Sequence, residues 1–221
     1  MHKLEFVPNV SVGPFIFGME QSEVHKIIKG VFKSESEPQV ERDLPSYESE
    51  YYPNPDIHVE YKNKKLISVF FIDDIRQRYC EIYLNNEKIW PRTKKKFFSI
   101  FGQDSFVELY DSFSHNEFSL CPNWENSPPS LVVGQKGYCA ELVETQQLVD
   151  IVFEMRKGMT RDHCRMLIGR KPEVSADGMT DNYPHGTIKP EIMSLTYGPD
   201  NLLLRASHSY PNGHVINIVK G

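Results

Sequence analysis

One template recurs three times in this chain and limits what the chain can fold into. It runs as a helix-starting residue, an apolar residue four positions on, an apolar pair at seven and eight, and then glycine. The late copy reads Thr160, Cys164, Leu167-Ile168 and Gly169; the middle copy reads Thr93, Phe97, Ile100-Phe101 and Gly102. The first reads Glu20, Val24, Ile27-Ile28 and, one residue late, Gly30. Offsets of four, seven and eight bring the apolar side chains to one face of an α-helix. Threonine can accept from the free N–H groups of the first turn, and glycine can take the left-handed conformation that closes the last. Each copy therefore predicts a helix of about two to three turns, too short to persist alone in water. Each needs something flat to lie against.

The flat partner follows in two cases. After the first copy come His58-Val59-Glu60-Tyr61, a polar turn at 62–65, and Leu66 to Ile72. After the late copy come Met193 to Tyr197, the turn Gly198-Pro199-Asp200-Asn201, and Leu202 to Ala206. Both read as tyrosine, four turn residues, leucine, the pattern of an antiparallel hairpin. A further strand is expected at 214–219. Residues 81–84, 117–121 and 130–133 are strand-like, 122–129 is a proline-rich loop, and 142–155 suits either helix or strand. The expected fold class is α+β, two related units of short helices packed on antiparallel sheet. The boundary is placed near residue 150, giving units 1–150 and 151–221, with one continuous sheet as the alternative.

At 221 residues the chain is long enough for each unit to bury a core. No stretch approaches the roughly 20 apolar residues of a membrane span. The start Met1-His2-Lys3-Leu4-Glu5-Phe6 lacks an apolar signal core, which reads as a cytoplasmic protein. Cys80, Cys121, Cys139 and Cys164 form no C-x-x-C pair, so they read as buried, reduced thiols. His208 and His214 flank the turn at 210–213, either as a metal pair or as two hairpin histidines. No third ligand can be placed by spacing, so no metal is assigned. Nucleophile-elbow, zincin, Walker and dinucleotide motifs are absent. Gly134 to Cys139 reads as a tight turn between strands. No catalytic residue and no cofactor are assigned.

The openings Phe17-Gly18-Met19, with Val24, and Lys157-Gly158-Met159-Thr160, with Cys164 and Gly169-Arg170-Lys171-Pro172, carry a resemblance. A Gly-Met-Thr start, a short helix and Leu-x-Gly-x-x-Pro resemble the helix–loop–sheet module of the β-lactamase inhibitor protein. They are also similar to small lipoproteins of outer-membrane assembly and to bacterial immunity proteins. Glu20 departs from the pattern by standing where a capping Ser or Thr is usual, and Lys29 is an extra residue before Gly30. The resemblance implies a scaffold that binds other proteins: an immunity protein occluding a cognate secreted toxin, a nuclease by preference. An adaptor or assembly factor without inhibitory role is the alternative, and an enzyme of unrecognised type is the third reading.

The charge map suggests where such binding would occur. The net charge is −5, and residues 33–60 carry eight acids against Lys33 and Arg42. Residues 97–155 carry nine acids against Lys136 alone. The stretch from Ser34 to Asp56 is polar and proline-rich and reads as an exposed loop. Its Glu35, Glu37, Glu41, Asp43, Glu48 and Glu50, with Tyr47, Tyr51 and Tyr52, are the expected contacts to a basic active-site surface on the toxin. Lys94-Lys95-Lys96 reads as a solvated helix face, and a pI near 5.9 argues against nucleic acid.

Overall fold

The computed structural model describes residues 1–44, 46–74, 79–109, 112–115, 117–125, 127–186, 191–209 and 215–218. The chain divides into two units, Met1–Ala140 and Glu141–Gly221. In chain order unit 1 contains β1 (His2–Val7), β2 (Ser11–Val12), β3 (Phe15–Ile16), α1 (Gln21–Gly30), β4 (Gln39–Leu44), β5 (Tyr47–Tyr52), β6 (Ile57–Lys62) and β7 (Lys65–Ile72). There follow β8 (Cys80–Leu84), β9 (Glu87–Trp90), α2 (Lys94–Phe101), β10 (Val107–Glu108), β11 (Phe113–Ser114), β12 (Leu120–Asn123) and β13 (Ser130–Gly134). Helix α3 (Tyr138–Phe153) begins in unit 1 and continues into unit 2. Unit 2 adds α4 (Arg161–Ile168), β14 (Glu173–Val174), β15 (Thr180–His185), β16 (Glu191–Tyr197), β17 (Leu203–Ser209) and β18 (Val215–Asn217). The fold is α+β with more strand than helix. No helix among the described residues is long and apolar enough to cross a membrane.

Unit 1 holds a six-stranded antiparallel sheet, order β12-β13-β7-β6-β5-β4, and a five-stranded sheet, order β3-β2-β1-β8-β9, in which β1 and β8 run parallel. One core joins them. Val24 and Ile28 of α1 pack with Val59, Tyr61, Leu66, Val69 and Phe71 of the central hairpin. Unit 2 is a single antiparallel sheet, order β14-β15-β16-β17-β18. Cys164 and Ile168 of α4 pack there with Leu195, Tyr197, Leu203 and Ala206.

The first and late copies of the template are built with the same joint. Gly18 N–H donates to Leu66 O at 2.8 Å and Leu66 N–H to Met19 O at 2.9 Å; Gly158 N–H donates to Leu203 O at 2.9 Å and Leu203 N–H to Met159 O at 2.8 Å. Two residues further along, Gln21 N–H reaches Lys64 O and Arg161 N–H reaches Asn201 O, both at 2.9 Å. The chain thus pairs with the outgoing hairpin strand immediately before it turns into helix. That turn needs φ near +87° at Gly18 and +85° at Gly158, where a side chain is strained. Each hairpin also carries a register shift before its tyrosine, at Glu60/Tyr61 and at Thr196/Tyr197.

The helix starts differ in detail. Thr160 Oγ1 accepts from His163 N–H at 3.4 Å. At Glu20, where the hydroxyl is missing, the Glu23 carboxylate accepts the Glu20 N–H at 2.8 Å, the second half of a capping box. Gly169 is left-handed, as expected, with φ +67°. Gly30 is not: α1 runs through it, and Val31 is the C-cap in right-handed conformation. The middle copy forms α2, whose Phe97 packs edge-on to Trp90 and Trp124 in an aromatic cluster. Lys94, Lys95 and Lys96 are exposed, as expected.

Three local expectations are corrected. The proline-rich loop begins later, because Pro122 and Asn123 continue β12 beside β13. Residues 117–119 form a turn, and the strand starts at Leu120. Gly134 to Cys139 leads from β13 into α3, not into another strand. The expected strand at 214–219 appears as β18, and His214 and Val219 fall outside the described residues.

Replacing Gly18 or Gly158 by alanine should destabilise its unit by about 1–2 kcal/mol, the cost of a Cβ in left-handed backbone. Gly30→Ala, at a helical position, should be neutral or stabilising by up to about 1 kcal/mol. Urea denaturation of the three variants tests the contrast.

Candidate functional site

The acidic stretch folds inward. β5 pairs with β4 on one side and β6 on the other, in a register that sets Glu50 opposite Val59 and Glu48 opposite Tyr61. Alternation along β5 then points Glu48, Glu50 and Tyr52 to the face covered by α1. Glu50 is 1% exposed. Its Oε2 accepts from the Tyr52 and Tyr61 hydroxyls, each at 2.8 Å, and its Oε1 from Gln21 Nε2 at 2.7 Å. His25 Nε2 lies 2.8 Å from the same carboxylate. Burial, reinforced by the Glu50 charge, pushes both phenols well above their ordinary range, so they remain donors. Glu48 accepts from Gln21 Nε2 at 2.7 Å and pairs with Lys64.

Unit 2 repeats this arrangement with stronger charges. Asp181 stands opposite Leu195, which stands opposite Ala206, as Glu50 stands opposite Val59 and Val59 opposite Val69. Gln21 and His25 of α1 correspond to Arg161 and Arg165 of α4, in each case the first residue of the helix and the one a turn later. Arg165 grips Asp181 as a fork, Nε to Oδ2 at 2.7 Å and Nη2 to Oδ1 at 2.8 Å. Arg161 adds Nε contacts at 3.2 Å to both oxygens, and its Nη1 donates to Gly178 O at 2.8 Å. Burial alone would raise the Asp181 carboxyl, but the hydrogen bonds from Arg165 and Arg161 outweigh it and hold the group below the usual carboxylate range.

The exposed-loop reading of Ser34 to Asp56 is therefore corrected. Tyr47, Glu48, Glu50 and Tyr52 are buried and cannot present themselves to a partner. Tyr51 is half-buried and donates to Asp56 Oδ1 at 2.8 Å; burial, then that bond, push its hydroxyl up to about 12. Glu35 and Glu37 are exposed, and the side chains of Glu41 and Asp43 lie outside those described. On the opposite sheet face Glu60 accepts from Ser68 Oγ at 2.6 Å and from the Tyr138 hydroxyl at 2.5 Å, which anchors the start of α3.

Exposed acid lies elsewhere. Glu144 and Asp150 of α3, and Glu154 just beyond it, are exposed, and no Lys or Arg occurs from Tyr138 to Met155. The outer face of the unit 2 sheet is open and polar: Ser194 Oγ donates to Asn182 Oδ1 at 2.8 Å, and Arg205 Nε to Asn217 Oδ1 at 2.6 Å. Burial raises the thiols of Cys80, to about 12, and of Cys139, so neither is a thiolate at neutral pH. The sulfurs of Cys121 and Cys139 are 2.7 Å apart in the core, and all four cysteines are free.

A third cluster of ionisable groups sits at the end of the unit 2 sheet. His185, Glu191 and His208 are buried, and one ligand atom from each lies within 4.8 Å of the others. His208 thus has ionisable neighbours that spacing did not reveal, while His214 lies outside the described residues. The residues missing from the sequence reading are those that depend on strand pairing: His185, Glu191 and Asp181. A usable signal existed for the last, since Glu50-x-Tyr52 and Asp181-x-Tyr183 repeat one pattern. Compared with protein-family models, curated proteins and solved structures, the chain matches none.

Glu50→Ala should cost unit 1 about 2–4 kcal/mol, because it strands the buried Tyr52 and Tyr61 hydroxyls. Denaturation followed by fluorescence of Trp90 and Trp124, both in unit 1, tests this. Asp181→Asn should cost unit 2 about 3–5 kcal/mol at neutral pH by leaving two guanidinium groups uncompensated. Because the folded carboxyl titrates below 3.8, its contribution is full above that value and is lost as pH falls beneath it. The acid limb of unit 2 stability, read from its amide NMR signals, should flatten in the variant.

Proposed function

We propose that this chain is a cytoplasmic immunity protein that binds a cognate secreted bacterial toxin and neutralises it by covering its active site. The observation that carries the reading is the scaffold built twice: two helix-on-sheet units share one joint and one buried carboxylate, while their outer surfaces differ. A repeated frame with divergent surfaces suits recognition of another protein, as the resemblance implies. With Glu48 and Glu50 turned inward, the contact to a basic toxin surface falls to the acids of α3, among which Glu144 also faces Arg170 at 3.9 Å, with Glu35 and Glu37 as further exposed acids. Acids of one sign raise the encounter rate with a cationic cleft and disfavour acidic partners. Neutralisation then needs only steric cover, with no cofactor.

The test is co-expression with the product of the adjacent gene, followed by affinity capture and growth rescue. A stoichiometric complex that restores growth supports the reading; capture without rescue favours an adaptor; no complex and no rescue ends both. Within a complex, Glu144→Gln with Glu154→Gln should slow association at low salt by about tenfold and flatten its salt dependence. Stopped-flow mixing at two ionic strengths measures this, and an unchanged rate would remove α3 from the interface.

A further inference from the structure

We propose that His185, Glu191 and His208 bind one divalent transition-metal ion, zinc by ligand type, which ties together the ends of β15, β16 and β17. Strand pairing builds the site. His185 stands directly opposite Glu191, and His208 stands opposite Met193, one row in. Their alternation with Asp181, Tyr183 and Met193 sets all three on the core face. The three residues are 7%, 5% and 2% exposed, so each is buried.

The decisive observation is His185. Its Nδ1 lies 3.1 Å from the Tyr183 carbonyl oxygen and donates to it, so in the neutral ring the lone pair is on Nε2. That Nε2 is buried without a hydrogen-bond partner and sits 3.6 Å from Glu191 Oε2, too far for a hydrogen bond. In that state a lone pair faces a carboxylate oxygen, an arrangement that a cation between them would turn from repulsive to attractive. His208 Nε2 completes the set at 2.8 Å from the same oxygen, and the two imidazoles stack at 5.3 Å and 28°.

In a tetrahedral zinc site, bonds of about 2.0–2.1 Å place ligand atoms roughly 3.4 Å apart. The two spacings to Glu191 Oε2, 3.6 and 2.8 Å, straddle that value and all three ligand atoms lie within 4.8 Å of one another, so ring rotations can close the shell, with water as fourth ligand. Two imidazoles and a carboxylate without thiolate suit zinc, and backbone support of one imidazole is the usual outer-shell arrangement. The scaffold itself does not require these groups. In unit 1 the residue matching His208 is Phe71, opposite Ile57 as His208 is opposite Met193.

The test uses the full chain, stripped with chelator and titrated with Co²⁺. One Co²⁺ per chain should bind with the intense visible bands of four-coordinate cobalt and be displaced by Zn²⁺. Glu191→Gln, His185→Gln and His208→Gln should each weaken binding roughly 100-fold or more. His163→Gln, on α4, should bind as the unaltered chain does. In case a variant fails to fold, imidazole NMR of the unaltered protein with Zn²⁺ reads the site directly. Two ring systems of the eight histidines should shift, one of them already carrying its proton on Nδ1. Absence of stoichiometric Co²⁺, equal binding by a folded Glu191→Gln protein, or shifts confined to other histidines would overturn the proposal.

Discussion

A buried carboxylate held by two side chains one turn apart on a short helix is the interaction on which both units depend. Neither α1, ten residues long, nor α4, eight residues long, can hold its own conformation in water. Apolar contacts from Val24 and Ile28, or from Cys164 and Ile168, supply attraction but little direction. The carboxylate supplies direction. A charge removed from water must be met by donors at set places, so it fixes the helix in rotation and position over the middle strand. In unit 1 the donors are Tyr52, Tyr61 and Gln21 with His25 alongside; in unit 2 they are two guanidinium groups. Two chemistries thus meet one geometric demand.

The shared joint explains why the two ties correspond so closely. Pairing of the Gly-Met segment with the outgoing hairpin strand sets where each helix begins. The register shift before Tyr61 and Tyr197 sets which strand residues lie beneath it. Once both are fixed, the first helical residue and the residue one turn later sit over the strand position occupied by Glu50 or Asp181. In effect, backbone hydrogen bonds choose the place, and the side chains there had to become complementary.

Periodicity made the helices and hairpins legible, because offsets of four and eight on α1 and α4 and alternation in β6, β7, β16 and β17 are carried by apolar residues. It failed where the inward residues are polar. The stretch Tyr47-Glu48-Ser49-Glu50-Tyr51-Tyr52 has no apolar alternation, because its inward positions include two glutamates, so its polarity reads as solvent exposure. The information needed, a donor set on α1, lies about 25 residues away in sequence. Gly30 followed the template in sequence but lacks the left-handed backbone. His185, Glu191 and His208 share no spacing at all; only pairing of β15, β16 and β17 brings them together.

The division between repeated interior and unlike exterior frames the functional reading. What the units share is spent on holding helix to sheet; what they do not share is the acidic run of α3, the open polar sheet face of unit 2 and the histidine–glutamate cluster. Native-state hydrogen exchange on the full chain, comparing the unaltered protein with Asp181→Leu, tests most directly whether each unit is organised by its own carboxylate. Protection should fall at the amides of α4, Gly158 and Leu203 while α1, Gly18 and Leu66 keep theirs. Equal loss in both units, or none at Leu203, would contradict the account.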